Sequence, residues 1–178
     1  MGKELGNRIL FARKNKSVII PTKREEDGAF DIYANFEEDY IIIKPHETKM
    51  IPTGLHSAFS SDYVAILKER GSTGSKGIGQ RCGVIDSGYR GEWFVAITNH
   101  NSFPVIIAKE NVSPLDIPII LTEYEGIIKA HIIYPYEKAI AQCIMVEVPK
   151  LYTEEVTMDE LLSYKSERGT GALGSSNK

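Results

Sequence analysis

The chain has 178 residues, enough for one domain, with 42% hydrophobic residues, 25% charged residues and a net charge of −3. That balance gives no general electrostatic reason to bind nucleic acid or an acidic membrane, and no stretch is long and apolar enough to span a bilayer. The opening "MGKELGNRIL" carries no apolar signal-peptide run, Gly2 lacks the hydroxyl residue that myristoylation needs, and Cys82 and Cys143 have no CxxC partners. A soluble protein of a reducing, cytoplasmic compartment is expected.

In chain order, the β-rich runs are "SVIIP", "AFDIYANF", "DYIIIK", "YVAILK", "WFVAITN", "PVIIA", "IPIILTEY", "IIKAHIIY" and "AQCIMVEV". Glycine, proline or charged clusters separate most of them, and no long helical period precedes Pro149. The pattern predicts an all-β sandwich, barrel or jelly roll. The stretch from Glu110 to Tyr136 reads as an extra β-hairpin, with Ile119, Ile120 and Ile133 offering either a subunit contact or the surface of a flap. One short helix is predicted in "VTMDELLSY", where Thr157 and Glu160 form a capping box and Leu161 and Leu162 give an apolar side to pack on the sheet.

Candidate chemistry lies at a few points. Asp31 in "GAFDIYAN" sits between apolar neighbours, so its carboxylate needs a turn amide or a hydrated metal ion as partner. "KERGSTGSKGIG" follows an apolar strand and places Arg70, Ser72, Thr73, Ser75 and Lys76 among glycines. Such a segment can aim backbone amides and hydroxyls at an anion, or serve as a plain flexible loop. It lacks the P-loop ending. "GVIDSGYRGEW" reads as a β-hairpin. Asp86 at its tip is either a turn residue or a proton acceptor for water, and Tyr89 presents a flat face to a sugar or base. Gln142 lies in an apolar strand, where a satisfied sheet amide is the simplest role. The four histidines show no ligand spacing, which argues against catalytic zinc. The ending "RGTGALGSSNK" reads alone as a frayed terminus, though Arg168 and the serines are suited to phosphates.

Each segment is modest alone, but their order is informative. "GAFDIYA", "RGSTGSKG", "GVIDSGYRGE", "AIAQ" and "RGTGALGSS" resemble the five motifs of the trimeric dUTP pyrophosphatase (dUTPase) family, over about Gly28 to Ser176. The resemblance implies a jelly-roll-like, or β-clip, subunit spanning residues 1–166, with a lid arm from 167 to 178. It implies a homotrimer with active sites between subunits, and Mg²⁺-assisted hydrolysis of dUTP to dUMP and pyrophosphate. By the same resemblance Asp86 deprotonates the attacking water, Tyr89 packs beneath the sugar, and Asp31 contacts the metal through water. Arg70, Gly71, Ser72, Gln142, Arg168, Ser175 and Ser176 are expected on phosphates. The backbone around Gly83 and Ile85 is expected on the uracil edge, and Leu173 over the base.

The chain departs from the family pattern at three motifs. The second reads "RGSTG", so Gly71 supplies an amide where a hydroxyl is common. The fourth has Ala139 where arginine is usual, with Lys138 beside it, and leaves open which cation takes that place. The fifth has Leu173 in place of a stacking phenylalanine. Two rivals share the fold. A dCTP deaminase needs a carboxylate beside the base to shuttle protons, and Ala96 stands where that pattern has glutamate; Glu92 belongs to the other end of the hairpin. A regulatory binding protein on the same fold is the other, motivated by the extra hairpin and the altered fourth motif.

Overall fold

The computed structural model describes residues 5–113 and 130–170. Among these the chain is nearly all β, in two compact units, Met1–Val148 and Pro149–Lys178. The first unit runs β1 (Leu10–Arg13), β2 (Phe30–Ile32), β3 (Tyr40–Ile43), β4 (Thr48–Pro52), β5 (Leu55–Ala58) and β6 (Tyr63–Lys68). After a single helical turn, α1 (Gly71–Gly74), come β7 (Ile78–Arg81), β8 (Val84–Ile85), β9 (Phe94–Asn99), β10 (Val105–Ala108), β11 (Ile132–Pro135) and β12 (Ala141–Glu147).

These strands form four small sheets, ordered β1-β5, β11-β10-β3, β2-β12-β6-β8 and β4-β9-β7. Few sequence neighbours pair with each other, so the sheets are stitched by long-range contacts, as in a jelly roll. Most inward residues converge on a main core that includes Ile32, Ile43, Ile51, Leu55, Leu67, Trp93, Ile97, Ile107 and Cys143, and Ile42, Ile106 and Ala108 form a smaller cluster. Trp93 is fully buried, donates Nε1–H to Ser57 Oγ at 3.1 Å and meets the Phe11 ring edge-on at 5.6 Å. Burial of the apolar surface of such residues supplies the main folding drive, and the indole N–H is not left unpaired. Polar groups inside are likewise satisfied. Asn99 donates to the carbonyls of Ile43, Lys44 and Phe103, and Asn35 joins Asn15 and Ser17 in a hydrogen-bonded cluster.

The structure revises several expectations. "SVIIP" contributes buried Val18 but is not a strand; Val18 N–H donates to Asn15 O in a turn, and the strand lies earlier, at β1. "GVIDSGYRGEW" is not a two-stranded hairpin. β8 pairs with β6, whereas β9 pairs with β4 and β7, so residues 86–93 are a loop that passes between two sheets. Most of the expected extra hairpin, residues 114–129, lies outside the described residues, as do Ile119 and Ile120. The strands on either side of it, β10 and β11, pair in parallel. Ile133 is exposed.

In the second unit, α2 (Met158–Ser163) forms where the capping box placed it, with Thr157 Oγ1 accepting from Glu160 N–H at 3.2 Å. Within that unit no residue of α2 is buried, Leu161 and Leu162 included.

Candidate active site

The center of interest is the end of the β2-β12-β6 sheet. β2 and β12 are antiparallel with Asp31 opposite Gln142, and Gln142 faces Lys68 of β6 on its other side. The chain leaves β6 through Glu69 and Arg70 into α1. Thr73 closes that turn: Arg70 N–H donates to Thr73 Oγ1 at 3.0 Å, while the hydroxyl donates back to Arg70 O at 3.0 Å. These pairings gather Asp31, Arg70, Gly71, Ser72 and Gln142 around one cavity of about 420 Å³. Segments far apart in sequence thus share a polar pocket because three adjacent strands end beside it.

Arg70 organises this cavity. Its Nε lies 2.9 Å from Asp31 Oδ1 and its Nη2 donates to Asp31 Oδ2 at 3.2 Å, a fork-to-carboxylate pair. Nη1 reaches Ser72 Oγ at 3.4 Å and the Ala139 carbonyl at 3.3 Å. Gln142 donates Nε2–H to Glu69 O at 2.9 Å, which fixes its amide. Behind the pocket, the Tyr134 hydroxyl donates to Ala139 O at 2.6 Å. Burial raises the Tyr134 pKa, and the nearby Arg70 works against that rise.

Sequence reasoning missed Thr22, Arg24 and Asp27 in the pocket's other wall, which continues into Gly28 and Ala29 of the first motif. The hydrogen bond from the Arg24 side chain lowers the Asp27 pKa, and the Arg24 amide lowers it further. The only signal in the sequence was the charged cluster "TKREED" before the first motif, which has no period and reads as a turn.

Gly83, Ile85, Asp86 and Tyr89 do not line that cavity; Gly83 precedes β8, Ile85 ends it, and Asp86 and Tyr89 belong to the β8–β9 loop. Gly83 has φ of +125°, a conformation that side chains rarely adopt, and its carbonyl accepts from Leu67 N–H at 2.7 Å. Ile85 packs against the core, whereas Asp86 and Tyr89 are exposed. Tyr89 N–H donates to Asp86 O at 3.0 Å and its hydroxyl to Glu92 O at 3.0 Å. Arg90, another residue that sequence reasoning passed over, ties the loop down by donating Nη1–H to the carbonyls of Ser57, Ser87 and Tyr89. The loop is therefore held at its base while its carboxylate and ring face outward.

Glu92 accepts from Gly54 N–H at 2.9 Å and pairs with Lys14 at 3.3 Å, so its carboxylate is a structural brace. Ala96 is buried in β9 between Met50 and Arg81 of the adjacent strands. Among the described residues no group of three or more His, Cys, Asp or Glu forms a metal cluster, and no helix is long and apolar enough to cross a membrane. Arg168 lies in the second unit, with its amide donating to Ser166 Oγ at 3.3 Å. Leu173, Ser175 and Ser176 lie outside the described residues.

Fold and pocket together define a β-rich domain with a charged, polar cavity and a separate loop that exposes a carboxylate and an aromatic ring. The dUTPase family model matches residues 15–112. The chain belongs to the dUTPase family. It is 30% identical over 130 residues to a deoxyuridine 5'-triphosphate nucleotidohydrolase of Haemophilus influenzae, covering 68% of this chain and 85% of that one. It is 34% identical over 98 residues to the Pol polyprotein of caprine arthritis encephalitis virus, covering 55% of this chain but only 8% of the polyprotein. The solved dUTPase of Staphylococcus bacteriophage 80alpha with dUPNHPP superposes with a TM-score of 0.70 at 21% identity, covering 95% of this chain and 98% of that one.

Proposed function

We propose that the chain is a dUTP diphosphatase, hydrolysing dUTP to dUMP and pyrophosphate by attack of water on the α-phosphate. The observation that carries this reading is the gathering of Asp31, Arg70, Gly71, Ser72 and Gln142 in one cavity, in a member of the dUTPase family. Guanidinium, hydroxyl, amide and exposed backbone N–H groups are the donors that a phosphate chain needs. Asp86 is the general base. An exposed carboxylate on a braced loop can reach a water and take its proton as the water bonds to phosphorus. Tyr89 supplies a flat surface beneath the sugar, and the backbone at Gly83 and Ile85 reads the uracil edge. A donor-acceptor mismatch there would leave groups unpaired with cytosine, and a tight fit would exclude the thymine methyl.

In a single chain the phosphate cavity and the Asp86 loop do not share a lining. A homotrimer in which one subunit's cavity meets another's loop supports the same chemistry, and the arm bearing Arg168, Leu173, Ser175 and Ser176 would close over it as a lid. The two free thiols, exposed Cys82 and buried Cys143, suit a reducing cytoplasm.

The residues present fit Mg²⁺. The cavity offers the Asp31 carboxylate, with Asp27 paired to Arg24 on its other wall, and no cage of acids among the described residues, which suits an ion that keeps its waters and is held largely by substrate phosphates. Bound there, it would neutralise phosphate charge. Pyrophosphate release from dUTP, dTTP, dCTP and UTP, followed with and without Mg²⁺, tests the reading; release from dUTP alone, dependent on Mg²⁺, is expected. Ammonia release from dCTP would favour a deaminase instead.

A further inference from the structure

The fourth motif supplies no cation to the cavity. Ala139 is buried, its carbonyl is taken by Arg70 and Tyr134, and Lys138 beside it does not line the pocket. Arg70 is already divided among Asp31, Ser72 and the Ala139 carbonyl. Even with Mg²⁺ bound, a triphosphate carries more negative charge than one such guanidinium can answer.

The loop before β2 brings in a second one. Arg24 lines the same cavity, with a side chain 89% exposed. Its placement is built rather than incidental. Arg24 Nε and Nη2 meet the two Asp27 oxygens at 3.0 and 2.9 Å, and its backbone N–H donates to the same carboxylate at 3.0 Å. Lys23 turns its ammonium inward, donating to the carbonyls of Arg24 and Asp27 at 3.3 and 2.8 Å. One lysine therefore ties the loop while the neighbouring arginine is presented at the rim. An exposed guanidinium costs little to desolvate, and with Nε and Nη2 on Asp27 its Nη1 is left to meet a phosphate oxygen.

We propose that Arg24 is a second phosphate-binding cation of this cavity, positioned by Asp27, and that it holds the part of the substrate that leaves as pyrophosphate. The inference rests on the dUTP diphosphatase reading, which puts Asp86 at the α-phosphate. Because Asp86 does not line the cavity, the cavity's share of the nucleotide is the β,γ end.

The test is equilibrium binding of dUMP and of a non-hydrolysable imido analogue of dUTP, with Mg²⁺, to the full chain and its Arg24→Met and Arg24→Lys variants. A lost charge-assisted contact at a phosphate should weaken the triphosphate analogue by about 10-fold or more in Arg24→Met. Binding of dUMP should stay within about 2-fold, and Arg24→Lys should recover part of the loss as a point charge. Unchanged analogue binding in Arg24→Met, or equal losses for dUMP and the analogue, would overturn the role of Arg24. If the unsubstituted chain neither binds the analogue nor hydrolyses dUTP, the diphosphatase reading fails first and takes this inference with it.

Discussion

Gly83→Ala should destabilise the chain markedly, whereas Gly88→Ala in the same loop region should not. At Gly83 φ is +125°, and an added Cβ would meet the Leu67 carbonyl oxygen at 2.8 Å, Gln80 Nε2 at 2.9 Å and Leu67 Cβ at 3.1 Å. Holding a non-glycine residue in such a conformation costs about 1–3 kcal/mol. Relieving the contact costs a further ~1–3 kcal/mol, because Leu67 is buried in β6 and the oxygen belongs to backbone. The combined ~2–6 kcal/mol is a large share of a typical domain stability of about 5–15 kcal/mol. For a chain of this size it corresponds to a melting-temperature loss of about 4–24 °C. Gly88 has an ordinary φ and nothing within 4 Å of an added Cβ, so Gly88→Ala should change the melting temperature little. Thermal unfolding at matched protein concentration reads both variants, since any assembly makes the midpoint concentration-dependent. A Gly83→Ala protein that melts with the unsubstituted chain would refute the argument from backbone and contact. Because Gly83 anchors β8 through Leu67, a loss of dUTP turnover should accompany the loss of stability.

Further outcomes follow from the same geometry. Arg70→Met should lower turnover of dUTP strongly, since it removes the group that binds Asp31, Ser72 and the Ala139 carbonyl at once; steady-state kinetics check this, and unchanged kcat/KM would remove Arg70 from the site. Of the two thiols, Cys82 should react with a thiol reagent in the native protein at pH 8. Cys143, whose pKa burial pushes up to about 12, should react only on unfolding. Truncation before Arg168 should cut turnover severely while leaving the melting of the β unit intact, and a fully active truncation would remove the lid role.

Much of the fold was legible where strands carry their own signal. "YVAILK", "WFVAITN" and "AQCIMVEV" are dense in β-branched and aromatic residues, and each contains a strand. The strands without that density, such as Thr48–Pro52, Leu55–Ala58 and Ile78–Arg81, were not anticipated, because long-range pairing rather than local preference makes them extended. "SVIIP" misled for the converse reason: Val18 is apolar to fill the core from a turn, not to form a ladder. The candidate site was legible as motifs, and five of the residues it named meet at one cavity. Arg24 and Asp27 were not, since only the pairing of β2 with β12 brings their loop beside Arg70. The change of sheet between β8 and β9 was also hidden, because the sequence suggested a hairpin there.

The most direct test of the account is the Mg²⁺-dependent release of pyrophosphate from dUTP by the unsubstituted chain and by Asp86→Asn, with binding of a non-hydrolysable dUTP analogue measured on both. The account predicts that the unsubstituted chain hydrolyses dUTP in preference to dTTP, dCTP and UTP, and that Asp86→Asn nearly abolishes hydrolysis while still binding the analogue. Hydrolysis by Asp86→Asn at the unsubstituted rate, or no release from dUTP by the unsubstituted chain, would contradict it.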